Sequence, residues 1–186
     1  MAQILAKPTN LLLSRYDLYG PRFVLTLDMS LLWFIEVGRF EWDRVHYTLA
    51  RESFWSGDFL LRANGQTLAS ATKPSFWLRK LIVRIDQREL VIKTPFFITR
   101  RFVVLENDSV IGQIARKGFI ALKGFFLSYR WTIDLPDYLS VPVQVFIFWL
   151  IVLMWMRYRN LVLPLFSSIG VGSYLIWRRY HYVVPP

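Results

Sequence analysis

The chain has 186 residues, enough for one domain with a full core and too few for two large ones. Hydrophobic residues make up 54% and aromatic ones 17%, more than an ordinary soluble interior needs, which leaves apolar surface for lipid or a partner. A net charge of +10 favours anionic partners, and the absence of cysteine excludes disulfides, thiolate catalysis and Cys-based zinc or iron–sulfur sites.

In chain order, residues 1–44 form an N-terminal segment expected to supply any first strands. Its start, MAQILAKPTNLLLSRYDLYG, has no sustained apolar stretch, because Lys7, Pro8 and Arg15 interrupt it, so no secretory signal is expected. Arg22 to Val37 is apolar but contains Asp28 and Glu36, which suits one or two strands better than a membrane span. Val45 to Ala50 reads as another strand.

Residues 45–159 are expected to form a β-barrel-like domain. Leu81 and Val83 alternate with Ile82 and Arg84; Leu90 and Ile92 alternate with Val91 and Lys93; Tyr129 and Trp131 alternate with Arg130 and Thr132. This period of two marks half-buried strands. Asn64-Gly65, Asp86-Gln87-Arg88 and Asn107-Asp108 supply the turns of an antiparallel meander, the first with the positive φ of a type I′ hairpin. The segments beginning at Phe59 and Phe102 superpose without a gap at an offset of 43: Phe59 meets Phe102, Asn64 meets Asn107, and Lys73 meets Arg116. A duplicated strand–turn–strand unit follows, as in a closed or curled sheet.

Nearly all the net charge lies in this region: residues 59–133 hold thirteen Lys/Arg against four Asp/Glu. The dipeptides Arg79-Lys80, Arg100-Arg101 and Arg116-Lys117 fall at strand ends beside Phe76, Trp77, Phe96, Phe97, Phe102 and Phe119. A cation next to an aromatic ring suits the membrane interface, where the charge takes phosphate and the ring sits at headgroup level. The expected lipid or anion site therefore comprises Lys73, Arg79, Lys80, Lys93, Arg100, Arg101, Arg116, Lys117 and Lys123. Stacking on single-stranded nucleic acid uses the same chemistry. Lipid is preferred because only a lipid setting also explains the apolar run that follows.

Asp134 and Asp137 flank Leu135-Pro136 and read as the start of a helix. The apolar helix is expected over residues 139–157. From Val141 to Met156 no residue is charged, and sixteen residues of helix span roughly 24 Å, short of the about 30 Å hydrocarbon core. Burial within protein is the first reading, with Val145, Phe146, Phe148, Trp149, Leu150, Val152 and Leu153 packed inside the strands. The alternative is an integral protein in which a hairpin over 141–177 spans the bilayer and the basic domain stays cytoplasmic. Residues 160–186 form an apolar extension, broken by Pro164, Gly170 and Gly172, that offers a surface to a protein partner.

Catalytic chemistry has little support. His46 and His181 lack a neighbouring carboxylate at ligand spacing, and no phosphate-binding or dinucleotide motif occurs. No metal, cofactor or small-molecule substrate is expected, and the chain is read as a non-enzyme.

Four segments, FLLRANGQTLAS, LIVRIDQRELVIK, FVVLENDSVIGQIARKG and DLPDYLSVPVQVFIFWLIVLMWM, together form a basic β-meander followed by one hydrophobic helix. This pattern resembles the tubby C-terminal-like superfamily, which includes the LURP-one-related proteins and phospholipid scramblases. The resemblance implies a closed antiparallel barrel around an apolar C-terminal-side helix. It also implies a cytoplasmic, membrane-associated module that binds phospholipid without an ordinary active site. Three features depart from the family: thirty residues follow Met156, neither an acidic calcium loop nor a palmitoylatable cysteine is present, and the barrel needs strands from the first 45 residues to close.

Overall fold

Alternation at every second residue becomes twelve strands in the computed structural model, which describes residues 3–9, 14–32, 35–53, 57–73, 80–94, 101–120 and 127–157. They are β1 (Ile4–Pro8), β2 (Arg15–Gly20), β3 (Phe23–Leu32), β4 (Ile35–Trp42), β5 (Val45–Arg51) and β6 (Asp58–Ala63), then β7 (Gln66–Thr72), β8 (Lys80–Ile85), β9 (Arg88–Lys93), β10 (Arg101–Glu106), β11 (Ser109–Ile120) and β12 (Leu127–Asp134). Each strand pairs antiparallel with its sequence neighbours, and β1 pairs with β12 through Ile4↔Ile133, Leu5↔Thr132 and Ala6↔Trp131. The barrel is closed, so no strand presents an unpaired edge.

The N-terminal segment of residues 1–44 contributes β1 to β4 to this barrel. The charge that obscured β3 is harmless there: Asp28 faces outward and is exposed, while Leu25, Leu27 and Met29 face inward and are buried.

Among the described residues five hairpins have two-residue loops: Pro21-Arg22, Asp43-Arg44, Asn64-Gly65, Asp86-Gln87 and Asn107-Asp108. Three carry positive φ at both loop positions, 51° and 61° at Asp43-Arg44, 50° and 81° at Asn64-Gly65, and 50° and 61° at Asn107-Asp108. That is the type I′ geometry, whose twist matches that of the flanking strands. Because strand direction alternates, all five loops lie at one end of the barrel, here the turn end. The remaining connections join strands at the opposite end, the link end.

The duplication is visible in the pairing. β6–β7 shifts register between Leu61 and Arg62, and β10–β11 shifts between Val104 and Leu105, positions that correspond at the offset of 43. A bulge adds local twist, so the two hairpins bend the wall in the same way.

Among the described residues one helix, α1 (residues 141–157), follows β12. It begins later than Pro136. The segment after β12 first makes a turn closed by Leu139 N–H donating to Pro136 O at 3.1 Å, and the first helical bond runs from Gln144 N–H to Ser140 O at 3.0 Å. Ser140 thus takes the N-cap position that suits its side chain, and Pro142 sits in the first turn, where a missing N–H costs nothing.

The chain divides into two compact units, Met1–Trp149 and Leu150–Pro186. In the first, α1 up to Trp149 lies among the inward residues of the strands. The Phe148 ring meets Tyr16 edge-on at 5.4 Å and Trp131 at 6.0 Å, and Trp149 meets Phe59 at 5.7 Å. Small inward residues, Ala6, Gly38, Ala63, Ala69 and Ala71, leave room for these rings. Wall side chains of twelve strands leave interior space, and α1 up to Trp149 packs into it. In the second unit only residues 150–157 are described; they continue the helix, and Leu150, Val152 and Leu153 are buried.

Candidate anion-binding surface

Strand register sorts the basic residues. Buried Leu81, Val83, Leu90, Ile92, Phe102, Val104, Ile114, Trp131 and Ile133 fix the inner face of β8 to β12, so Lys80, Lys93, Arg101, Lys117 and Arg130 are on the outer face. All five lie toward the link end. Lys80 is directly opposite Lys93, and Lys117 is directly opposite Arg130. Like charges in directly opposed cross-strand positions destabilise a sheet unless an anion neutralises them. The Lys93 ammonium lies 3.9 Å from Asp108, so this cation has a carboxylate beside it.

Carboxylates are distributed in the opposite sense. Within β7 to β12, every described Asp and Glu (Asp86, Glu89, Glu106, Asp108, Asp134) is at the turn end. The cations there are matched: Arg84 pairs with Glu89 at 3.3 Å, and the Arg88 guanidinium lies 4.9 Å from the centre of the Tyr138 ring. The Tyr138 hydroxyl in turn donates to Glu106 at 2.7 Å. Burial, followed by that hydrogen bond, raises the hydroxyl's pKa above the ordinary tyrosine value. This half of the barrel is therefore polarised along its axis.

Other residues of the sequence-derived site have different surroundings. Arg116 is directly opposite Trp131 on the inner face, with its Nε and Nη1 buried, so it does not share the outward surface of Lys117. Phe102, read as an interfacial aromatic, is instead core: it is 3% exposed and lies 6.3 Å from the Trp131 ring. Lys73 is half-buried one residue beyond β7. Arg79, Arg100 and Lys123 lie outside the described residues, as do Phe76, Trp77, Phe96 and Phe97. Arg130 was missed by sequence reasoning, since its only signal was alternation with Trp131; its pairing with Lys117 comes from register.

The wall of β2 to β4 holds an ion pair of its own. A concavity of about 800 Å³ over β2 to β4 is lined by Arg15, Asp17, Thr26, Asp28 and Arg39. Arg15 Nε donates to Asp28 at 2.5 Å, which raises the guanidinium pKa, and the Thr26 hydroxyl donates to Asp17 at 2.9 Å. Glu41 lies 3.6 Å from His46, while His181 is outside the described residues. Among the described residues no cluster of three His, Asp or Glu could hold a metal, and no helix is long and apolar enough to cross a membrane. The hairpin reading over 141–177 needs residues 158–177, which lie outside the described residues, and residues up to Trp149 that pack against strands. No protein-family model, curated protein or solved structure matches the chain.

Proposed function

We propose that the protein is a non-catalytic module that binds anionic phospholipid headgroups at the link-end outer surface of β8 to β12, tethering it to the cytoplasmic face of a membrane. The observation that carries this reading is the opposed pair Lys117 with Arg130, beside the opposed pair Lys80 with Lys93, on a stretch of β8 to β12 where, among the described residues, only Lys93 of these four contacts a carboxylate, that of Asp108. Phosphate oxygens bridging such pairs relieve the repulsion and add charge-assisted hydrogen bonds. A barrel around an apolar helix is also the architecture implied by the resemblance to the tubby-like superfamily, which supports the same reading.

The test uses the full chain with Lys80, Lys117 and Arg130 together replaced by Gln, and sedimentation with phosphatidylcholine vesicles with and without phosphatidylserine. Each cation near an anionic surface is worth roughly 1 kcal/mol, so the triple variant should bind acidic vesicles on the order of 100-fold more weakly, with an unchanged circular dichroism spectrum. Unaltered binding overturns the proposal. A chain that ignores vesicles but binds single-stranded oligonucleotide with steep salt dependence is a nucleic-acid-binding barrel instead.

A further inference from the structure

Where α1 enters the barrel, at the turn end, the space between helix and wall is incompletely filled. Trp42 continues the inward row of Gly38 and Phe40, Tyr47 continues that of Leu49, and Ile85 continues that of Leu81 and Val83. Deeper in the barrel the inward residues meet the large rings of Phe148 and Trp149. At the entry they face only the short side chains of Val141 to Val143. The difference leaves a pocket of about 360 Å³, closed on its remaining sides by Leu68, Asp43 and Asp86. That volume lies within the roughly 300–1,000 Å³ of small-molecule sites.

We infer that this pocket binds a small organic ammonium that carries an apolar group. Trp42 and Tyr47 line it with half-buried rings, and each is held by a second ring: Trp42 meets Phe23 edge-on at 4.8 Å, and Tyr47 stacks on Phe40 at 4.9 Å. The aromatic wall is therefore in place before a ligand arrives, and indole and phenol faces attract a cation. The charged residues that line the pocket are both carboxylates, Asp43 and Asp86, and neither side chain has an ion pair or hydrogen bond among the described residues. The cations of the turn end do not line it. Arg22 and Arg44 lie in loops, Arg84 pairs with Glu89, and the Arg88 guanidinium lies 4.9 Å from the centre of the Tyr138 ring. A ligand carrying carboxylate or phosphate meets like charge at Asp43 and Asp86, whereas an ammonium is attracted by the carboxylates and by the rings. Lys117 and Arg130 lie toward the opposite end of the barrel, so this site stands independently of headgroup binding.

Asp43 and Asp86 both have a φ of 51°, a conformation that asparagine also adopts, so Asp43→Asn combined with Asp86→Asn removes the charge and keeps the turns. The full chain and this double variant are titrated by calorimetry with benzyltrimethylammonium, benzyl alcohol and phenylacetate, which share a ring and differ in charge. The unaltered chain should bind the ammonium most tightly and phenylacetate least. The double variant should bind the ammonium on the order of tenfold more weakly, with its affinity for benzyl alcohol and its circular dichroism spectrum unchanged. Leu68→Trp fills the pocket from a position that is 39% exposed, and should abolish ammonium binding. Four results each overturn the inference: no binding of the ammonium, a preference for phenylacetate, equal ammonium affinity in the double variant, or binding that survives Leu68→Trp. A preference for phenylacetate assigns the pocket instead to the positive end of α1.

Discussion

A side chain at residue 38 would compete with the helix for space. A Cβ there would sit 3.0 Å from Leu49 Cδ1 and 3.1 Å from Trp149 Nε1, so the glycine is what lets the indole approach the wall of β4. Replacing Gly38 with Val should overpack this contact and lower stability by about 1–3 kcal/mol, measurable as an earlier urea midpoint. Tyr138 does the opposite, fastening exposed structure. Its hydrogen bond to Glu106 and its contact with Arg88 tie the segment before α1 to the β8–β9 and β10–β11 turns. The folded state favours the protonated hydroxyl, so this contribution is complete below the unfolded pKa of about 10 and is lost as pH rises through the higher folded value. Tyr138→Phe should cost about 0.5–1.5 kcal/mol at neutral pH and flatten the alkaline fall in stability, as seen in denaturation at a series of pH values.

At the scale of elements, α1 and the hairpins divide the work. The hairpins set register locally: loops at Asp43-Arg44, Asn64-Gly65 and Asn107-Asp108 share one geometry, and matching bulges give β6–β7 and β10–β11 the same bend. α1 up to Trp149 supplies core that these strands could not fill alone. Phe148, fully buried between Tyr16 and Trp131, is its central contact. Truncating Phe148 to Ala should destabilise the barrel by about 3–5 kcal/mol, visible as a shifted urea midpoint. Phe148→Asp, which buries an unpaired charge, should leave no cooperative unfolding transition.

For the molecule as a whole, the proposed headgroup binding makes the first encounter with a surface electrostatic. Raising the ionic strength should weaken the initial attraction to acidic vesicles, because the cations are outward and screened. The sequence alone established an antiparallel β domain around an apolar helix, since alternation at Leu81–Val83 or Leu90–Ile92 and an uncharged run of sixteen residues are local patterns. It also located the excess positive charge. It underread β1 to β4, because Asp28 and Glu36 interrupt an apolar stretch and Asp43-Arg44 lacks the glycine or asparagine that announces a turn. Only the tertiary structure decided which cations oppose one another, turned Arg116 and Phe102 inward, and placed the described carboxylates of β7 to β12 at the turn end. Register and strand direction determine these relations, and both arise from pairing between distant segments that no local window of sequence contains.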